Sequence, residues 1–204
     1  MGLAAELCTL DARRAPVDMP STKAIGSIGR RIDSTIAAIV ARQPEEALIH
    51  LFPAMDKTAK RRRPKAGVGD RIRGFIDDQE IIITAIAFGN IMSGTVVDGM
   101  KFSEAIYKFG RTSIAHEGEL DERLKIIPGC EVRIGRTWEL PESTIFAMCI
   151  ATMIAPENAG ETSSSKGSVK VLGHETAIQD LWGAQIVVED TIRTLYRRDV
   201  FAGV

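Results

Sequence analysis

Aromatic residues make up only 5% of this 204-residue chain. That is too few for a single-strand binder that stacks successive bases on a platform of rings. Cysteine is scarce as well. Cys8, Cys130 and Cys149 are an odd number at wide spacing, with no CxxC pair, which excludes a disulfide framework and a structural zinc ladder. Such usage points to a reducing, cytoplasmic compartment. Net charge is missing too: 26 basic and 27 acidic side chains leave −1. Bulk charge therefore cannot hold nucleic acid, and any basic surface must be local. No apolar run reaches the roughly 20 residues of a membrane span; the longest lie around Ile81–Phe88 and Ile145–Ala155. Met1 to Leu10 contains Glu6 and lacks a basic lead followed by a long apolar stretch, so no signal peptide is expected. There is no Walker A loop, HExxH, GxSxG or EF-hand loop. The three histidines, His50, His116 and His174, are scattered, so neither a metal nor a cofactor is expected.

What is present is ordinary for a globular chain: 45% hydrophobic and 26% charged residues. A chain of this length buries roughly 70% of its unfolded surface and needs no covalent staples. Residues 1–20 end in the Pro16/Pro20 pair and read as an N-terminal arm. From Ser21 or Thr22 as cap, Ile25, Ile28, Ile32, Ile36 and Ile39 recur at helical spacing. Gly26 and Gly29 weaken its early turns and allow a close helix approach. Pro44, Glu45 and Glu46 open a second helix, which Pro53 should kink or split. It stops at Pro64, after Lys60-Arg61-Arg62-Arg63. A short helix is expected over Gly69–Asp78. Glu80–Ile86 is a continuous apolar run that fits a strand or a buried helix equally well.

Asp98 is the expected cap of a helix that carries Phe102, Ala105, Ile106 and Phe109 on one side and ends at Gly118. Pro128-Gly129 separates two β-prone runs, predicting a hairpin over about 124–138. Pro141-Glu142 opens an apolar helix, and residues 156–167 form a polar loop expected to be mobile. A last helix is predicted from His174-Glu175 to about Arg198. The sum is a mainly α single domain over residues 21–204 with a small β-hairpin insertion.

A lone histidine on a helix is more often structural than catalytic, and His50 and His174 fall under that rule. His116 differs because Arg111 precedes it by five positions, with the polar Thr112 straight after the arginine. This R-x4-H spacing resembles the motif of the HEPN superfamily. Its members are small α-helical domains, many of them metal-independent endoribonucleases of toxin–antitoxin and antiviral defence systems. The likeness covers Phe102–Leu120 closely and Ala47–Asp56 more faintly; residues 121–170 carry none of it. It implies a HEPN-like helical bundle that pairs as a homodimer, with RNA as substrate and an antitoxin or defence-complex partner. It also implies cleavage by the RNA's own 2′-hydroxyl, with His116 as general acid or base and Arg111 on the phosphate. Thr112 stands where that superfamily usually places Asn, Asp or His; its hydroxyl can still hydrogen-bond.

Chemistry supports those roles. Imidazole ionises near working pH, and a guanidinium grips phosphate in a fork while stabilising developing charge. Glu117 and Glu119 can orient the imidazole but also repel RNA. On an ideal helix five positions turn through about 500°, leaving Arg111 and His116 roughly 140° apart. A shared site therefore needs a distorted helix, a second helix as its floor, or a second subunit. Lys60, Arg61, Arg62 and Arg63 are the strongest local charge. They suit either a solvated helix end or a patch that tracks RNA phosphates. Three functions stay open at this point: a ribonuclease, a non-catalytic module binding RNA, a nucleotide or a protein partner, and a helical protein whose Arg–His pair is structural.

Overall fold

The structure is a computed structural model that describes the backbone of residues 8–11 and residues 24–202. Helix α1 (Ser27–Val40) starts behind Gly26; the expected caps Ser21 and Thr22 lie outside the described residues. Ile28 and Ile32 are fully buried, as their spacing predicts. A side chain at Gly29 would place its Cβ 1.9 Å from the Thr162 carbonyl oxygen. The glycine thus serves a close approach to a loop rather than to another helix. Helix α2 (Pro44–Arg62) follows, with Glu45 and Glu46 at its positive end. It runs through Pro53 without splitting. The ring lies on an exposed side while Phe52, Ala54 and Met55 are buried beside it, so packing outweighs the lost hydrogen bond.

The expected short helix and the ambiguous run after it are one element, α3 (Val68–Phe88), closed by Gly89 in the left-handed conformation at φ 62°. Every residue from Gln79 to Ala87 is buried. A helix covered on all faces has no polar side, which is why its sequence shows no period. Helix α6 (Ser143–Ile154), buried from Thr144 onward, packs on α3 in the same central layer. The α1–α2 pair flanks it. Mainly α is therefore correct.

The β structure departs from expectation. Strands β2 (Val96–Val97) and β3 (Met100–Lys101) form a small hairpin. Asp98 and Gly99 sit at its turn, both at positive φ. Asp98 is thus a turn residue, not a helix cap. The cap is supplied by Glu104, whose carboxylate accepts the Lys101 N–H at 2.8 Å. Residues 102–117 then run on as α4 (Phe102–Ala105), a π-helix (Ile106–Thr112) and α5 (Ser113–Glu117), ending at Gly118.

The hairpin expected over 124–138 does not form. Strand β4 (Leu124–Ile127) pairs in parallel with β6 (Trp138–Pro141), and β5 (Arg133–Ile134) lies antiparallel on the other edge of β6. Burial decides this. Leu124, Trp138 and Leu140 all reach the core, and Trp138 meets the Phe102 ring at 6.3 Å between centroids. The Pro128-Gly129 turn only redirects the chain.

The predicted start of the last helix is likewise strand. β7 (Ser168–Val171) and β8 (His174–Ala177) pair about a Leu172-Gly173 turn, with both residues at positive φ. Helix α7 (Gln185–Tyr196) begins only after a 3₁₀ turn over Ile178–Leu181. Strand β1 (Cys8–Asp11), inside the expected arm, adds to β7; residues 1–7 and 12–20 lie outside the described residues. The loop expected to be mobile, 156–167, is heavily anchored. Asp33 on α1 accepts both the N–H and the hydroxyl of Ser164 and of Ser165. Asn158, fully buried, donates to Thr58 and to the Thr152 carbonyl. Among the described residues no helix is long and apolar enough to cross a membrane.

Candidate functional site

Two irregular helices face each other where Arg111 sits. On α2, Pro53 has no N–H to give the Ile49 carbonyl one turn back. Opposite it, Ile106–Thr112 widens to the i→i+5 spacing of a π-helix, a distortion frequent at functional sites. The Thr112 hydroxyl donates to the Tyr107 carbonyl, five residues back, at 3.1 Å. Gly110 makes the seating possible. A Cβ there would lie 3.1 Å from the Phe52 ring and 3.3 Å from Leu124.

The result is a cleft of about 360 Å³ between α2 and the π-helix–α5 junction. Its walls are Leu48, Ile49, Phe52, Pro53, Ile114 and Ala115, with Asp56 and Arg111 as its charged members. Asp56 is bound by both arms of Arg71, at 3.0 and 3.1 Å. Arg111 is half-buried, stands 6.0 Å over the Tyr107 ring and has no carboxylate partner among the described residues. Asp56, the carboxylate lining this cleft, is taken by Arg71, so the Arg111 guanidinium is set to receive an anion from outside.

Tyr107 links this cleft to a second. Arg73, paired with Asp70 at 2.7 Å, lies 5.0 Å from the same ring. Gly69 admits the tyrosine: a Cβ there would meet its hydroxyl at 3.1 Å. The neighbouring cleft, about 410 Å³, is lined by Arg73, Met100, Glu104, Tyr107, Lys108 and Thr112. Arg73 and Arg111 thus stand over one aromatic ring, Tyr107, while Lys108, over the Phe109 ring, lines the second cleft. Sequence reasoning missed Arg73, Tyr107 and Pro53 as site residues. The mid-helix proline was the one visible signal.

The residues singled out from the sequence are not all brought together. Arg111 lines the first cleft and Thr112 the second. His116 is exposed on α5 and lines neither. Neither of these two clefts brings the arginine and the histidine together.

The basic run is spent on internal contacts. Arg61 donates to Glu161, the Asn158 side chain and the Glu157 carbonyl. Arg62 grips Glu157 at 2.7 and 3.0 Å, reaches Asp78 at 2.8 Å and stacks over Phe75 at 5.1 Å. Arg63 takes the other Asp78 oxygen at 2.7 Å. Burial alone would raise the Asp78 carboxyl, but hydrogen bonds from Arg63 and Arg62 hold it below its ordinary value. The same opposition, with Arg62 as donor, lowers Glu157. Arg61 and Arg62 strap the 156–161 segment to the end of α2, and Arg62 and Arg63 tie that end to Asp78 on α3. Lys60 is exposed. Among the described residues, no group of three or more His, Cys, Asp or Glu side chains is assembled to hold a metal.

Residues 27–200 match the model of the Rv1289 family. The chain belongs to that family. It is 23% identical over 181 residues to the uncharacterized protein Rv1289 of Mycobacterium tuberculosis (strain ATCC 25618 / H37Rv), covering 78% of this chain and 84% of that protein. The same figures hold for the uncharacterized protein Mb1320 of Mycobacterium bovis (strain ATCC BAA-935 / AF2122/97). No solved structure matches. The matched range of this Rv1289-family chain contains both clefts, the π-helix and the arginine strap.

Proposed function

We propose that this Rv1289-family protein is a HEPN-like helical module that binds RNA at the cleft between α2 and the π-helix, with Arg111 as the phosphate contact. The observation that carries this is the state of Arg111: half-buried, against apolar walls, over Tyr107 and without a carboxylate. Lys108, in the neighbouring cleft, offers a second cation to an adjoining phosphate, whereas Arg73 is already paired with Asp70. Arg61, Arg62 and Arg63 are engaged by carboxylates and stay outside this contact.

The ribonuclease reading is the second one. It is favoured by the exposure of His116, which makes no hydrogen bond with the described residues and leaves both ring nitrogens open to substrate. Because His116 lies outside the Arg111 cleft, cleavage in this reading needs a second copy, so that one chain's imidazole meets a phosphate held by the other.

A labelled single-stranded RNA of mixed sequence tests both. Arg111→Gln removes one charge-assisted contact, worth about 1.5–3 kcal/mol, and should weaken binding by roughly 10- to 150-fold. It should also reduce the slope of log affinity against log salt by about 0.7. Unchanged affinity and slope overturn the binding site. Cleavage in EDTA that is abolished by His116→Ala supports the nuclease; RNA left intact by the wild-type protein ends that second reading.

A further inference from the structure

A groove of about 990 Å³ lies between the start of α2 and strand β4, meeting the Arg111 cleft at Ile49. β4 is an edge strand, since the sheet order is β4-β6-β5. In a parallel pair, alternate residues turn both backbone groups to the same side. Trp138 N–H donates to the Arg123 carbonyl and Glu142 N–H to the Ile127 carbonyl, so residues 123, 125 and 127 serve β6. Leu124 and Ile126 therefore face the groove. The Leu124 N–H is taken by Asp121 in a turn. Among the described residues, the Leu124 carbonyl and both backbone groups of Ile126 have no hydrogen-bond partner and are left for whatever enters. An edge strand of this kind is a template for one more strand.

The groove also carries a charge. Asp121 is neutralised by Arg123, at 2.6 Å. Glu122 remains, with Glu45, which accepts the Leu120 N–H at 3.4 Å, and Glu46, which meets His50 Nε2 at 2.9 Å; all three are exposed, against Lys125. Apolar contacts line the floor from Ile49, Leu120 and Ile126. Such a surface repels RNA and attracts a cationic chain.

We propose that this groove docks an extended, basic peptide segment of a partner protein, added as a strand along β4 at Ile126. Backbone hydrogen bonds hold the segment, alternate apolar side chains meet the floor, and its lysines or arginines answer Glu45, Glu46 and Glu122. This inference stands apart from the RNA site and does not rest on it.

The probe is a capped synthetic peptide of about six residues alternating Lys and Val, long enough to span β4. Binding is followed by amide shifts in the NMR spectrum of the full chain. The Ile126 amide should shift and become protected from exchange, together with amides at the start of α2. A Glu-Val peptide of equal length should bind about tenfold more weakly or not at all. N-methylation of alternate peptide nitrogens should cost a similar factor, because it removes the strand's donors without touching the protein. Glu122→Lys, an exposed change that leaves the fold alone, should weaken the Lys-Val peptide about three- to tenfold. Equal binding of the acidic or the N-methylated peptide overturns the proposal, as do shifts that map away from β4. So does an Ile126 amide already protected in the free protein and released on dilution, which would show a second copy on the strand.

Discussion

Arg62→Gln separates a structural strap from an RNA patch. The substitution removes three hydrogen bonds to two carboxylates and one stack on Phe75. The Arg62 side chain is 18% exposed and Glu157 21%, so these contacts are only partly screened. A charged hydrogen bond to each of two carboxylates at about 1 kcal/mol, plus about 0.5–1 kcal/mol for the stack, gives a loss of about 2.5–3 kcal/mol at pH 7. Asp78 keeps Arg63, which holds the loss below the value for a stranded charge. The two carboxyls also make the loss depend on pH. Both sit below their ordinary values in the folded chain. Their contribution is therefore fully present above the unfolded-chain range of about 4 and fades as pH falls through the folded values. Urea unfolding of wild type and variant should show the full gap at pH 7. As pH falls below about 4 the gap should narrow, toward the stacking share alone once both folded values are passed. A gap under about 0.5 kcal/mol at pH 7, or one of constant size down to pH 3, refutes the strap and returns Arg62 to the phosphate patch.

Gly29→Ala should destabilise by about 3 kcal/mol or more in the same assay, because its Cβ would collide with the Thr162 carbonyl; a neutral result contradicts the close packing of the 156–165 segment on α1. Ile83→Ala, in the fully buried half of α3, should cost about 2–5 kcal/mol, and a value near zero would mean that this half is not core. In a Cys8→Ser background a thiol reagent should label exposed Cys130 at once. Cys149 should react only after unfolding, since it is buried and burial pushes its thiol up to about 12.

Local pattern was enough for the elements whose burial is one-sided. The stripes of α1 and α2, the helix end at Gly118 and the mainly α character follow from spacing and end signals, because an amphipathic helix records its environment in its period. Two kinds of feature were not recorded that way. The run through Ile81–Ala87 carries no period because α3 is covered on every side, so only its neighbours define it as helix. The partner of β4 could not be read from the Pro128-Gly129 turn either. A turn fixes direction, whereas pairing in parallel with β6 depends on Leu124, Trp138 and Leu140 reaching the core together.

The site divides along the same line. Sequence placed Arg111 and His116 on one helical stretch and marked Lys60–Arg63 as the densest charge. Only tertiary structure showed that Arg61, Arg62 and Arg63 are satisfied by carboxylates up to a hundred residues away along the chain. It likewise showed that Arg111 has no carboxylate partner among the described residues. Spacing along a chain sets which residues share a helix face; which charges cancel depends on what the fold brings beside them, and that information is spread over the whole chain.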